Sequence, residues 1–312
     1  MMYQKIMVPL DGSRFAEAAL PYAVGLARAA GARLHLVLAH EPVAAMIGMG
    51  EGIVPVELDD EARHREETYL ADTVGGLLEA GTVPVDWREL EGQAGPAISD
   101  EVSRSGADLV VMSTHGRGAL GRLWLGSVAD HLIRHLGVPI LLVRPGKGGE
   151  AAKGDKLHSV LVALDLSQDA EAILEPVIAL THITQGHVTL GHILEPILGF
   201  INPALPYPEP ISPEVLERHR TGAQHRLDLL ADRLREKGIS VNTRVWEAGS
   251  AAVGLLTAME DGRYDMIAMT THGRGGFRRV VLGSVADKVV RGAAKPVLVM
   301  RPPAATSKPA KP

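Results

Sequence analysis

The sequence predicts an α/β fold: two tandem, doubly wound parallel sheets of five strands each, Rossmann-like in plan. Three observations predict it. The chain repeats itself over a whole-domain period. Within each copy, apolar stretches of strand length alternate with helical stretches, the pattern of a parallel sheet with crossover helices. The stretch Leu109–Met112 is continuously apolar, as expected of a strand covered on both faces.

The repeat is legible in three places. Val8-Pro9-Leu10-Asp11-Gly12-Ser13 returns as Val162-Ala163-Leu164-Asp165-Leu166-Ser167. The stretch from Ala107 to Asp130 returns from Tyr264 to Asp287, and Val138–Pro145 returns as Lys295–Pro302. The offset is 154 residues at the start and 157 from His115 onward, a domain duplication rather than a solenoid period. The expected organisation is a first domain over 1–145, a linker over 146–156, a second domain over 157–302 and a disordered tail over 303–312. The linker is rich in Gly, Lys and Ala and buries little.

In the first copy, Lys5–Leu10 is a short apolar strand. Ser13 is suited to cap a helix running toward Gly31, with Pro21 expected to kink it. Arg33–Ala39 is the second strand, and Glu57–Ala80 a long amphipathic helix closed by Gly81. Val83–Leu90 alternates like an edge strand. Ala97–Ser105 is helical and ends at Gly106. Leu109–Met112 is the fourth strand, Ser127–Leu136 a short helix and Val138–Val143 the last strand.

Composition excludes several classes of function. A net charge of −5 leaves no basic footprint for nucleic acid. With no cysteine there are no disulfides, thiolate nucleophiles or Cys-type zinc sites, which suits a reducing cytoplasm. The N-terminus turns polar at Asp11, too early for a secretory segment, and no apolar run reaches the roughly 20 residues that cross a bilayer. A cytoplasmic location and no membrane partner are therefore expected. The 13 histidines show no metal-ligand spacing.

The best-matched segments between the copies both follow strands. A sheet ordered 3-2-1-4-5 would bring the ends of strands one and four together where the order reverses, the place where open α/β sheets bind ligands. Three glycine patterns compete there. Gly116-Arg117-Gly118-Ala119-Leu120-Gly121 matches a dinucleotide fingerprint, but it follows the fourth strand, and the second copy breaks it at Phe277-Arg278. Gly121 and Gly126 have Walker spacing, but Ser127 stands where the lysine belongs. The third pattern holds in both copies: His-Gly, nine residues, Gly-Ser, then a helix, over Gly116 to Gly126-Ser127 and Gly273 to Gly283-Ser284. Glycine admits close approach of an anion, and a helix start offers unpaired N–H groups and the positive end of the dipole. The alternative is that Gly-Ser is only a helix start with a capping serine.

Taken together, the PLDGS stretch, His40-Glu41-Pro42 after strand two, STHGRG, LGSVAD and the terminal PILLVRP resemble the universal stress protein family in its tandem form, over about Tyr3 to Pro302. The glycine spacing resembles that family's ATP-binding branch. The resemblance implies sheets ordered 3-2-1-4-5, an adenine nucleotide alpha hydrolase-like fold, and ATP, with or without Mg²⁺, in each crevice. It places the first nucleotide among Pro9, Leu10, Asp11, Ser13, Met112, Ser113, His115, Gly116, Arg117, Gly118, Gly126, Ser127 and Val128. The second falls among Ala163, Leu164, Asp165, Ser167, Thr270, Gly273, Arg274, Gly275, Gly283, Ser284 and Val285. It further implies that the last strands pair between the two halves as an intrachain pseudo-dimer, and it is compatible with a homodimer of chains. Two departures stand out: Ser113 and Thr270 replace the signature's first glycine, and in the second copy Leu166 replaces Gly12 and Ala163 replaces Pro9.

Simpler roles exist for most of these residues. Asp11 and Asp165 serve either ribose, adenine or Mg²⁺, or merely a turn at a strand end. His115 and His272 are catalytic or hydrogen-bonded in their loops. Arg117, Arg122, Arg274 and Arg278 screen phosphates or sit in solvent. The loop around Met46 and Met49 and its counterpart Pro196–Pro213 are lids or plain insertions. The functional readings are a nucleotide-dependent stress or signalling module, a slow ATPase or nucleotidyl-transfer enzyme, and an interaction protein with a vestigial site. No catalytic residue is assigned.

Overall fold

The structure is a computed structural model and describes residues 3–42, 56–81, 83–114, 125–146, 157–195, 212–261, 263–271 and 282–303. The first half runs β1 (Lys5–Leu10), α1 (Arg14–Glu17), α2 (Leu20–Ala30), β2 (Arg33–His40), α3 (Val56–Glu79), β3 (Val85–Glu91), α4 (Ala94–Ser105), β4 (Leu109–Ser113), α5 (Ser127–His135) and β5 (Ile140–Val143). The second runs β6 (Ser159–Ala163), α6 (Gln168–Glu171), α7 (Leu174–Thr184), β7 (His187–Leu194), α8 (Pro213–Arg235), β8 (Ser240–Glu247), α9 (Ala251–Glu260), β9 (Met266–Thr270), α10 (Ser284–Gly292) and β10 (Val297–Met300).

The expected α/β fold is present. Each half is parallel and ordered 3-2-1-4-5, and the halves join into one ten-stranded sheet, β3-β2-β1-β4-β5-β10-β9-β6-β7-β8. The join is the antiparallel pair β5–β10, with Leu142, Leu141 and Ile140 opposite Val297, Leu298 and Val299. Two separate sheets would each leave an apolar edge strand open; joining them removes both edges. The half-to-half contact is reciprocal, as in an isologous dimer. Arg144 donates to the Arg291 carbonyl in the last turn of α10, while Arg301 donates to the Arg134 carbonyl in the last turn of α5 at 3.0 Å. Both cations sit at the negative end of a helix dipole. Tyr3 Oη also crosses between the halves, donating to the Pro176 carbonyl at 3.0 Å.

Side chains alternate across the sheet. Ile6, Val8 and Leu10 of β1 face α1–α3, whereas Met7 faces the layer that holds α4 and α5. Each face is therefore buried, which is why β4, β5, β6 and β9 are buried along their whole length. No described helix is long and apolar enough to cross a membrane.

Local details depart from the sequence reading. The helix after Ser13 is not one kinked helix. It stops at Glu17, and Pro21 lies in the first turn of a new one, α2, where a missing N–H costs nothing. β2 extends to His40, α4 begins at Ala94, and β5 starts at Ile140 rather than Val138. The Met46–Met49 loop lies outside the described residues, as does most of its counterpart.

The duplication supplies internal controls. Gly31 closes α2 in the left-handed region at φ 65°, and its counterpart Gln185 closes α7 at φ 52°. A side chain there costs roughly 1–2 kcal/mol relative to glycine, offset in part by glycine's greater unfolded entropy. Gln185 is exposed, so Gln185→Gly should raise stability by about 1 kcal/mol, read from urea unfolding.

Candidate functional site

The sheet order reverses between β1 and β4, and again between β6 and β9. There the strands part at their C-terminal ends. β1 pairs with β4 only at Ile6–Leu109 and Met7–Val110, although the strands run on to Leu10 and Ser113. In the second half the ladder holds one step longer, to Val162–Ala268. Pro9 brings no N–H to this edge, whereas Ala163 in the same place does. The crevice therefore opens sooner in the first half.

One wall of the crevice is the turn after β1. Asp11 Oδ1 accepts from the Ser13 backbone N–H at 2.9 Å and from Ser13 Oγ at 2.6 Å, and Ser13 Oγ accepts from Ala16 N–H at 3.3 Å. Asp165 and Ser167 repeat this with 2.9, 2.6 and 3.2 Å. Both aspartates are half-buried, so one carboxylate oxygen holds the turn while the side chain remains at the crevice rim. The residue between them is left-handed in both halves, Gly12 at φ 77° and Leu166 at φ 65°. Leucine tolerates this because its side chain is buried, which contributes about 1.5–3 kcal/mol against the roughly 1–2 kcal/mol of backbone cost.

The other wall hangs from β4. Thr114 N–H donates to the Val143 carbonyl and Gly126 N–H to the Thr114 carbonyl, both at 2.9 Å, so the start of α5 is tied directly to the end of the strand. The second half repeats the ties through Thr271 and Gly283 at 3.0 and 2.9 Å. Gly126 and Gly283, not the serines, are the N-caps. Their extended backbone, φ −60° in both, is one any residue adopts, so what glycine contributes is the missing Cβ. Among the described residues no side-chain cap bond is made at either N-cap, and Ser127 and Ser284 stand exposed at the first helical position. The reading of Gly-Ser as a helix start with a capping serine is thereby set aside. Each helix instead offers the N–H groups of its first turn, a hydroxyl and a dipole end at the mouth of a crevice.

Pro9, Leu10, Met112 and Ser113 are buried at the strand ends, as are Ala163, Leu164 and Thr270, while Val128 and Val285 are half-buried in the first helical turn. Ser113 and Thr270 close their strands as buried residues, 7% and 6% exposed. His115, Gly116, Arg117, Gly118 and Arg122 lie outside the described residues, as do His272, Gly273, Arg274, Gly275 and Arg278. Glu41 of the His-Glu-Pro stretch accepts from the Ala94 N–H at 3.1 Å, and Glu195 accepts from the Ala251 N–H at 2.5 Å; these carboxylates cap α4 and α9. A shallow groove lined by Pro213, Glu217, Arg218 and His225 belongs to one face of α8 and involves no strand end.

The model of the universal stress protein family matches this chain twice, at residues 2–144 and 156–301. The chain belongs to the universal stress protein family. A universal stress protein of Mycolicibacterium smegmatis is 31% identical over 311 residues, covering 95% of this chain and 97% of that protein. The shorter universal stress protein of Thermus aquaticus is 33% identical over 143 residues, 46% of this chain and all of that one. The crystal structure of a universal stress protein from Archaeoglobus fulgidus superposes with a TM-score of 0.68 at 18% identity, over 96% of this chain and 98% of that one, which shows a common fold. The tandem arrangement is thus that of a two-domain universal stress protein.

One polar cluster escaped the sequence reading, which looked for local metal-ligand spacing. His40 at the end of β2 meets Glu66 and Asp59 of α3, and Glu89 of β3 stands beside them. The signal was the comparison of the copies: Leu194 occupies the place of His40.

Proposed function

We propose that each half binds ATP at the crevice between its first and fourth strands, and that the chain acts as a nucleotide-dependent stress-response or signalling module. The observation that carries this is the glycine-capped helix start at Gly126-Ser127 and Gly283-Ser284, tied to a strand end where the sheet order reverses. The triphosphate lies against the N–H groups of α5 or α10, with Ser127 or Ser284 donating its hydroxyl. His115, Gly116, Arg117 and Gly118, and Gly273, Arg274 and Gly275, which lie outside the described residues, belong to the phosphate site in this reading. The nucleoside lies along Pro9, Leu10 and Asp11, or Ala163, Leu164 and Asp165, beside Met112 and the first-turn Val128 or Val285. Asp11 or Asp165 serves the ribose.

The halves differ in this reading. The earlier-opening first crevice takes ATP more tightly than the second, where Ala163 extends the ladder. Calorimetry of the full chain should show two binding events of unequal affinity with ATP. Absence of adenine-nucleotide binding, with and without Mg²⁺, would overturn the proposal.

A further inference from the structure

The first half contains a polar cluster that the second half replaces with apolar residues. His40 is 1% exposed, and each of its ring nitrogens faces a carboxylate: Nδ1 meets Glu66 Oε2 at 2.7 Å and Nε2 meets Asp59 Oδ1 at 3.2 Å. Donor atoms of His40, Glu66 and Glu89 all lie within 4.8 Å of one another. The Oε1 atom of Glu89 is fully buried and has no hydrogen-bond partner among the described residues. A buried carboxylate oxygen left without a donor is costly unless a cation meets it.

From this geometry we infer a site for one divalent transition-metal ion in the first half, ligated by His40, Glu66 and Glu89. One imidazole and two carboxylates suit Zn²⁺, Mn²⁺ or Co²⁺, with water completing the shell. Ligands held at about 2.0–2.2 Å from one ion stand roughly 3–3.5 Å apart, so small side-chain rotations close the cluster. The surroundings fit as well. Asp59 accepts from the far ring nitrogen and so orients His40, the usual arrangement behind a metal-bound histidine. Arg63 in turn holds Asp59 at 3.5 Å and Glu91 at 3.0 Å. Asp59, Arg63 and Glu66 share one face of α3 at helical spacing.

Two comparisons within the chain sharpen the inference. In β7–β8 the places of His40 and Glu89 are taken by Leu194 and Val245, through the matching pairs Leu38–Glu89 and His192–Val245. The fold therefore does not need polar residues there. His35 is also buried between two carboxylates, Asp86 and Glu101, with Glu101 bound to Arg104 as well. There Asp86 also meets Arg33 and Glu101 meets Arg104, and neither acid has a buried oxygen without a partner among the described residues, so that network is already complete.

The test is a titration of the metal-stripped full chain with Co²⁺, without nucleotide, followed by calorimetry and visible absorption. One ion per chain is expected, with the absorption of a nitrogen- and oxygen-ligated Co²⁺. His40→Leu, which copies the second half, should weaken binding at least 100-fold, and Glu89→Gln at least tenfold. Asp59→Asn should weaken it roughly 10–100-fold and shift the spectrum. Should His40→Leu fail to fold, Glu89→Gln decides. No binding up to millimolar Co²⁺, or binding unchanged in Glu89→Gln, overturns the inference. Because ATP is absent, the result is independent of the nucleotide proposal.

Discussion

Leu141→Ala and Leu298→Ala should each lower the stability of the chain by about 2–5 kcal/mol, the largest single-residue losses expected away from the crevices. Leu141 is 0% and Leu298 1% exposed, and they face each other across the β5–β10 pair on the same side of the sheet. Each truncation leaves a cavity at the centre of ten strands, where covalently continuous neighbours on both sides limit collapse. Because the two side chains line one space, the double variant should differ from the sum of the singles by about 0.5–3 kcal/mol. Leu78→Ala is the control: Leu78 is 55% exposed, and its truncation should stay within about 0.5 kcal/mol. Urea unfolding read by circular dichroism measures all four. Additive, sub-kilocalorie effects at Leu141 and Leu298 would mean that the two halves do not share this joint in solution.

Ser127→Asp should remove ATP from the first crevice and leave the second untouched; Ser284→Asp should do the reverse. A carboxylate about 4 Å from a phosphate is repelled by roughly 4 kcal/mol at an effective dielectric near 20. Solvent exposure of Ser127 reduces this, so a loss of about 1.5–3 kcal/mol, or roughly 10–100-fold in affinity, is expected. Loss of folding is separable from loss of binding here. Aspartate in the first helical turn favours the dipole of α5, so stability should hold or rise by about 0.3–1 kcal/mol. A variant that unfolds no more readily and binds ATP as the parent does would place the phosphates elsewhere.

Much of this was legible beforehand for a definite reason. Strand and helix periods depend on neighbours two to four residues apart, and both are written in the chain: Leu109–Met112 reads as a covered strand and Val83–Leu90 as an edge. The duplication added a second reading of every element. Sequence reasoning failed where competing local outcomes are close in energy. Pro21 fits a kink or a helix start equally well, and only packing of the alanine-rich stretch at Ala16, Ala18 and Ala19 selects the start. At Gly126-Ser127 either residue could cap, and the tie from Gly126 N–H to Thr114 makes it the glycine.

By itself, the sequence determined the family, the two α/β halves, the strand order within each and the glycine-serine segments that open α5 and α10. The halves and the glycine-serine segments follow from patterning and from the likeness of the two copies; the family and the strand order follow from the resemblance that the motifs carry. Only the tertiary structure decided that the pairing of the last strands is antiparallel and makes one ten-stranded sheet, that the first crevice opens one ladder step before the second, and that His40, Glu66 and Glu89 converge. Each of these depends on residues far apart in the chain. No local period records such a meeting; it exists only once the sheet has brought those segments together.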